Sequence, residues 1–322
     1  MNTTIGTDIT YAASLLKNDE VVAMPTETVY GLAGNGFSEI AVRKIYAVKN
    51  RPLYNPLILH VPSTDAISQL VKHIPETSHA LLKKFAPGPL TLLLPKKDIV
   101  PDLITAGSEK VAIRIPQHPM ALQLLKNCSF PVAAPSANPF GYISPTTAQH
   151  VFNQLKNTIP YILDGGNCDA GVESTVVGFN ENDIPVIYRL GVITQEQIIA
   201  EVGDCLMHQS NADKHLQSPG MLKYHYSPKT KLIISNQLSN DVLNYDASEI
   251  AVISFQNQLP QNLAKHQIQL SVKGSLTEAA HNLYAALHSA DALNVKLIIA
   301  EEHPNTGIGK TINERLWKAA AK

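Results

Sequence analysis

Only three cysteines occur in the 322 residues, Cys128, Cys168 and Cys205, an odd number with no close pair. That excludes a disulfide framework and any cysteine-based zinc site, and it points to a reducing compartment, taken here as the cytoplasm. No run of about 18 apolar residues is present, so no helical membrane span is expected. The stretch Met1 to Tyr11 lacks a basic segment followed by an apolar one, so no signal peptide is expected. Neither charge is in excess: 26 Lys and Arg stand against 27 Asp and Glu. Dedicated nucleic-acid binders carry a strong basic surplus, so any RNA contact must be weak and come from a local patch. G-x-G-x-x-G, G-x-S-x-G and H-E-x-x-H are all missing, as are internal repeats, low-complexity runs, a nucleophile–histidine pair and a metal cluster.

What is present is an ordinary apolar content of 44% over a length that suits one large domain or two. Short runs rich in Val, Ile and Leu, bounded by Pro, Gly or Asp, predict strands at 21–24, 57–61, 90–94, 111–115, 132–134, 161–163, 175–177 and 186–188. Helical spacing predicts helices over 40–48, with Ser38 as N-cap, over 146–155 and over 194–202, and another starting near Met120. Proline-bounded strands argue against a purely parallel sheet, so a mixed α/β domain is expected over 1–205. Residues 206–229 read as a linker, yet Ser218 to Pro228 carries two tyrosines, a histidine and a lysine where passive linkers are small and polar. From 230 to 322 strands at 232–234, 250–255 and 297–300 alternate with helices at 276–290 and 311–321. That alternation predicts a small parallel α/β domain of Rossmann-like shape.

Gly309-Lys310-Thr311 imitates the end of a phosphate loop, but position 304, where that motif needs glycine, is Pro304. It is expected to be a loop entering the last helix. Other polar clusters follow apolar strands, and each admits two explanations. Thr26-Glu27-Thr28 either lines a pocket or makes a capping turn. Lys49 and Arg51 either complement a helix C-terminus or converge on a polyphosphate. Lys110, Ala112 and Arg114 share one face of a strand, so Arg114 either reaches solvent or meets a buried anion such as a carboxylate. Ser136, Asn138 and Ser144 form a loop suited to close approach by phosphate, or merely a loop. Gly165-Gly166, Ser174, Arg189 and Gly191 are open in the same way. Taken together the clusters suit one concave site for an anionic, polyhydroxyl ligand, with chemistry by positioning and charge neutralisation.

The series PTETVYGL, KNRPLYNPLILH, PGPLTLLLP, VAIRIPQHP, AAPSAN with GYISPT, DGG with GVESTVV, and RLG, in this order from Pro25 to Gly191, resembles the YrdC-like threonylcarbamoyl-AMP synthase family. The stretches SPGMLKYHYSP and GIGKTINERLWKAA resemble its two-domain branch. The resemblance implies a twisted N-terminal domain with a concave, positively charged cavity. It implies substrates ATP, L-threonine and bicarbonate, and a product handed to a separate transferase that modifies adenosine 37 of tRNA. Threonine contacts are implied at Thr28, His60, Arg114, Ala134 and Ser174. The ATP side is implied at Arg51, Asn55, Lys110, Ser136, Asn138, Ser144, Arg189 and Tyr226, with Lys49 and Arg51 acting in catalysis. Lys110 stands where family members often carry threonine. Mg2+ is implied with ATP, while no carboxylate cluster marks a metal held by the protein. Glu27 and Glu173 read as outer-shell ligands or, by preference, structural partners. An RNA-binding module without catalysis is the rival. A hydrogenase-maturation carbamoyl-adenylate enzyme fits less well, since its acylphosphatase-like start and zinc-finger cysteines are missing.

Overall fold

The computed structural model describes residues 2–208 and 225–321, so 209–224 of the expected linker lie outside the described residues. The chain divides into two units. Among the described residues the first holds 2–140, 145–169 and 173–208, and the second holds 141–144, 170–172 and 225–321.

The first unit is built on an eleven-stranded sheet. In chain order its strands are β1 (Thr4–Gly6), β2 (Val22–Met24), β3 (Gly31–Asn35), β4 (Ile58–His60), β5 (Leu90–Pro95), β6 (Lys110–Arg114), β7 (Val132–Ala133), β8 (Tyr161–Leu163), β9 (Thr175–Phe179), β10 (Pro185–Arg189) and β11 (Leu206–Met207). They lie side by side as β1-β8-β2-β3-β7-β4-β6-β5-β9-β10-β11. The sheet is mixed, as expected: β4 runs parallel to β6 and β5 to β9, while β5 and β6 are antiparallel. All eight expected strands are present; β1, β3 and β11 were not foreseen.

Both faces are covered, which is why the central strands read as continuous apolar runs. Ile45, Leu59, Leu92, Ile113 and Val177 belong to one buried cluster, and Leu16, Met24, Leu124 and Leu163 to another. Each such side chain contributes roughly 1.5–3 kcal/mol by leaving water. Local signals set the helix ends. The Ser38 hydroxyl accepts from the Ala41 N–H at 3.3 Å and starts the helix Glu39–Lys49. Asn50, in the left-handed conformation (φ 51°), ends it and turns the chain, so Lys49 and Arg51 leave the backbone in different settings. Thr194 and Gln197 form a reciprocal capping box at the helix Gln195–Val202.

The second unit has four strands, β12 (Lys231–Ser235), β13 (Ile250–Ser254), β14 (His266–Gln269) and β15 (Leu297–Glu301). All pairs are parallel and the order is β12-β15-β13-β14. Leu238, Val252 and Ile299 lie in its core. The last helix, Gly309–Ala320, begins at the false phosphate loop. A Cβ on Gly309 would stand 2.0 Å from the Pro304 carbonyl oxygen, so glycine is required there by close backbone packing. Among the described residues no helix is long and apolar enough to cross a membrane.

Candidate functional site

Strand register collects the polar residues into one belt. His60 ends β4, and its register partner on β6 is Arg114. Arg114 in turn is opposite Thr91 on β5, and Leu90 beside it is opposite Thr175 on β9, directly after Ser174. His60 is also paired with Val132 on β7, two residues before Ala134, whose N–H donates to the Ile58 carbonyl at 3.0 Å. Residues as far apart in sequence as His60 and Thr175 thus gather at one end of neighbouring strands, because parallel and antiparallel pairings alternate there.

At the centre lies Arg114, 4% exposed. Its Nη2 donates to Glu27 Oε1 at 2.6 Å, Nη1 to the Thr28 hydroxyl at 2.9 Å, and Nε to the Gly88 carbonyl at 3.2 Å. Glu27 Oε2 accepts from the Gln117 N–H at 3.1 Å. Thr26 donates to the Val29 carbonyl at 2.6 Å, which leaves Thr28 as donor in the 2.9 Å contact between the two hydroxyls. The hydroxyl chain therefore runs in one direction, from guanidinium to Thr28 to Thr26 to backbone. Breaking a buried pair such as Arg114–Glu27 by removing one partner costs about 3–5 kcal/mol, because the other charge is stranded. Next to it, burial and the Arg114 cation push the His60 pKa down to about 3, so the imidazole is neutral. His60 Nδ1 is buried without a hydrogen-bond partner.

A second group gathers around Lys49, only 1% exposed. Its ammonium donates to the carbonyls of Ser136 and Asn138, each at 2.5 Å, with Asn138 Oδ1 at 3.4 Å. Burial first, and then the Arg51 cation, push its pKa well below the ordinary lysine value. Arg51 donates from Nε to the Asn55 carbonyl at 3.1 Å and from Nη2 to Asn55 Oδ1 at 2.6 Å and the Pro56 carbonyl at 2.8 Å. Asn55 is fully buried, and its Nδ2 has no partner. The two groups are joined by β3: Gly31 forms a bridge with Ser136, and Thr28 is three residues upstream. A Cβ on Gly31 would lie 3.0 Å from the Ala134 Cβ, so the small residues at 31 and 134 let the two segments close up.

Ser174 and Arg189 form a third contact, with Arg189 Nη2 2.9 Å from both the Ser174 carbonyl and its hydroxyl. Thr91 completes it, its hydroxyl 2.7 Å from that of Ser174. One expected residue of this unit stands away from the belt. Lys110 begins β6 while Arg114 ends it, roughly 13 Å away along a strand; it lines a shallow hollow with Asn180 and Tyr188. Ser144 and Tyr226 belong to the second unit. There Tyr226 is 1% exposed, stacks on Tyr284 at 5.6 Å and lies under the Arg315 guanidinium at 5.0 Å. The sequence favours a structural role for Glu27 and does not single out Thr91. Both are polar residues forced into buried positions (0% exposure for Thr91), which is the one signal they offered. Among the described residues no three His, Cys, Asp or Glu side chains converge to hold a metal ion.

Fold and site together define a mixed-sheet α/β domain with a buried belt of cationic and hydroxyl side chains, and a second, parallel α/β unit. The Sua5/YrdC/YciO family profile, described as telomere recombination, matches residues 14–191. The profile of the threonylcarbamoyl-AMP synthase C-terminal domain matches residues 193–321. A threonylcarbamoyl-AMP synthase of Bacillus subtilis is 42% identical over 97% of this chain and 92% of its own length. One from Pyrococcus abyssi is 37% identical over 97% and 94%. The crystal structure of P. abyssi Sua5 complexed with L-threonine superposes with a TM-score of 0.90 at 35% identity, covering 99% of this chain and 97% of that one. The chain belongs to the Sua5/YrdC threonylcarbamoyl-AMP synthase family, in its two-domain form.

Proposed function

We propose that this chain forms threonylcarbamoyl-AMP and pyrophosphate from L-threonine, bicarbonate and ATP. The observation that carries this reading is the junction of two different cationic groups beside the ends of central strands: Arg114 with Thr28 and His60, and Lys49 with Arg51, Ser136 and Asn138. One group suits a small amino acid. Among the described residues Arg114 has three of its five N–H groups engaged, and the remainder suit a carboxylate. The neutral imidazole of His60, with Ala134 and Ser174, would border the threonine side chain. The other group suits polyphosphate, with Arg51, Asn55, Ser136, Asn138 and Arg189 on the nucleotide side.

Between them the threonine amine would attack the bicarbonate carbon, and water would leave as a C–O bond breaks, giving the carbamate. A carbamate oxygen then attacks the α-phosphorus of ATP, and pyrophosphate leaves as the α–β phosphoanhydride bond breaks. Lys49 and Arg51 would neutralise the negative charge that grows on the phosphoryl oxygens and the leaving group. No covalent enzyme intermediate is needed, which suits a site rich in hydrogen-bond donors. Since the described residues offer no metal-binding cluster, Mg2+ would arrive on the ATP phosphates as part of the substrate. The product would pass to a separate transferase acting on adenosine 37 of tRNA in the cytoplasm, and the chain beyond β11, up to residue 229, would act as a linker into the C-terminal domain.

Purified protein incubated with ATP and bicarbonate, with and without L-threonine, tests this. Pyrophosphate should be released many times faster with threonine. Equal release in both would leave only a nucleotide- or RNA-binding module.

A further inference from the structure

Glu27 has no part in the chemistry outlined above, yet it is 5% exposed and sits against the one arginine assigned to the amino-acid end of the site. We propose that Glu27 is the positioning residue for Arg114: it fixes the direction in which the guanidinium presents its unengaged N–H groups to a substrate carboxylate. This rests on the amino-acid role given to Arg114 in the preceding subsection.

The geometry supplies the reasons. A guanidinium is planar, so anchoring it at Nη2 (Glu27), Nη1 (Thr28) and Nε (Gly88) fixes both its plane and its rotation. Two of those three anchors come from the loop after β2, and only one of the three is charged. Glu27 itself is held from behind, because its second oxygen accepts the Gln117 N–H. Gln117 lies three residues beyond Arg114, just past the end of β6. The carboxylate therefore ties the β2 loop to both the arginine and the chain leaving β6. Both its contacts require an acceptor. The hydroxyl chain from Thr28 through Thr26 to the Val29 carbonyl is oriented by the same guanidinium, so a shift of Arg114 would also release the Thr28 hydroxyl.

Two conservative changes separate this role from a merely structural one. Glu27→Gln has nearly the same shape but offers one acceptor and one donor, so it cannot satisfy both Arg114 and the Gln117 N–H. Glu27→Asp keeps both acceptors and the charge but is shorter by one carbon, about 1.5 Å. Either change moves the guanidinium. Calorimetric titration of the full chain with L-threonine, and separately with ATP, gives affinity and active fraction as independent quantities. Glu27→Gln should weaken threonine at least ten-fold with ATP affinity within two-fold of wild type. Glu27→Asp should weaken it in the same sense.

A structural role alone would lower the fraction of competent sites and leave the threonine affinity of those sites unchanged, and that result overturns the proposal. Failure of both variants to fold would likewise assign Glu27 to the fold and overturn it. Absence of threonine binding in the wild-type chain would instead defeat the amino-acid site itself, a distinguishable outcome.

Discussion

Acid should weaken the first unit through His60, by an amount that follows from its surroundings. The imidazole is 3% exposed and stands beside the Arg114 cation, which together push its pKa down to about 3. An unfolded histidine titrates near 6.5. Between these values the unfolded chain binds a proton that the folded one refuses, so stability rises with pH through the window and falls as acid is added. Each pH unit below about 6.5 costs up to roughly 1.4 kcal/mol, and at pH 4.5 the penalty reaches about 2–3 kcal/mol. A second buried histidine, His303, has its pKa lowered to about 4 by burial and adds its own penalty in the second unit. Readout must therefore be local. Hydrogen exchange of peptides spanning 57–61 and 110–115, corrected for the intrinsic pH dependence of exchange, reports opening of the first unit. In wild type the opening free energy should drop by about 2–3 kcal/mol between pH 7 and pH 4.5 beyond any fall in His60→Asn, which has no titrating ring. Parallel pH profiles for the two proteins would show that His60 does not enter the folded unit uncharged, and the account of the belt would be wrong at its centre.

Lys49→Met removes the ammonium that bridges the Ser136 and Asn138 carbonyls. Turnover should fall more than ~100-fold, as for loss of a group that stabilises transition-state charge, and residues 134–139 should exchange faster by mass spectrometry. Gly191→Ala should destabilise the first unit by about 1–3 kcal/mol or more in urea titrations, because its Cβ would lie 2.4 Å from the Thr175 nitrogen, a backbone atom that cannot swing aside. Gly309→Ala should destabilise the second unit in the same assay while leaving the ATP KM unchanged. A rise in that KM would reinstate a phosphate role for the Gly309-Lys310-Thr311 segment.

The fold was legible wherever local chemistry and tertiary demand agree. Leu90–Leu94 and Val111–Ile115 are buried on both faces, so their apolar residues run on, broken only by Thr91 and Arg114. Ser38 and Thr194 announce helix starts because their hydroxyls do the capping. β3 was hidden. Gly-Leu-Ala-Gly-Asn has poor strand propensity and is held extended by β2 on one side and β7 on the other. β14 escaped for a related reason: His-Gln-Ile-Gln is only half-buried and looks like loop. In the site, residue types at strand ends were readable, but partnerships were not. No spacing rule links Glu27 to Arg114 or Lys49 to Ser136, because the strand order that unites them is set by the whole sheet. Lys110 shares its face of β6 with Arg114 but begins the strand that Arg114 ends, a separation that alternation alone does not reveal.

Division of the chain by packing does not follow its division along the sequence. Gly141 to Ser144 and Ala170 to Val172 are early in the chain but belong to the later unit. There the Tyr142 hydroxyl donates to Asp291 at 2.5 Å, and the Gly141 carbonyl accepts from the Ser227 N–H at 2.8 Å. A gene shortened after codon 205 would still encode both early pieces while deleting Asp291 and Ser227. Such a fragment would expose two ragged ends of a missing module, so dissecting this enzyme for expression calls for replacing those seven residues as well as moving the stop codon.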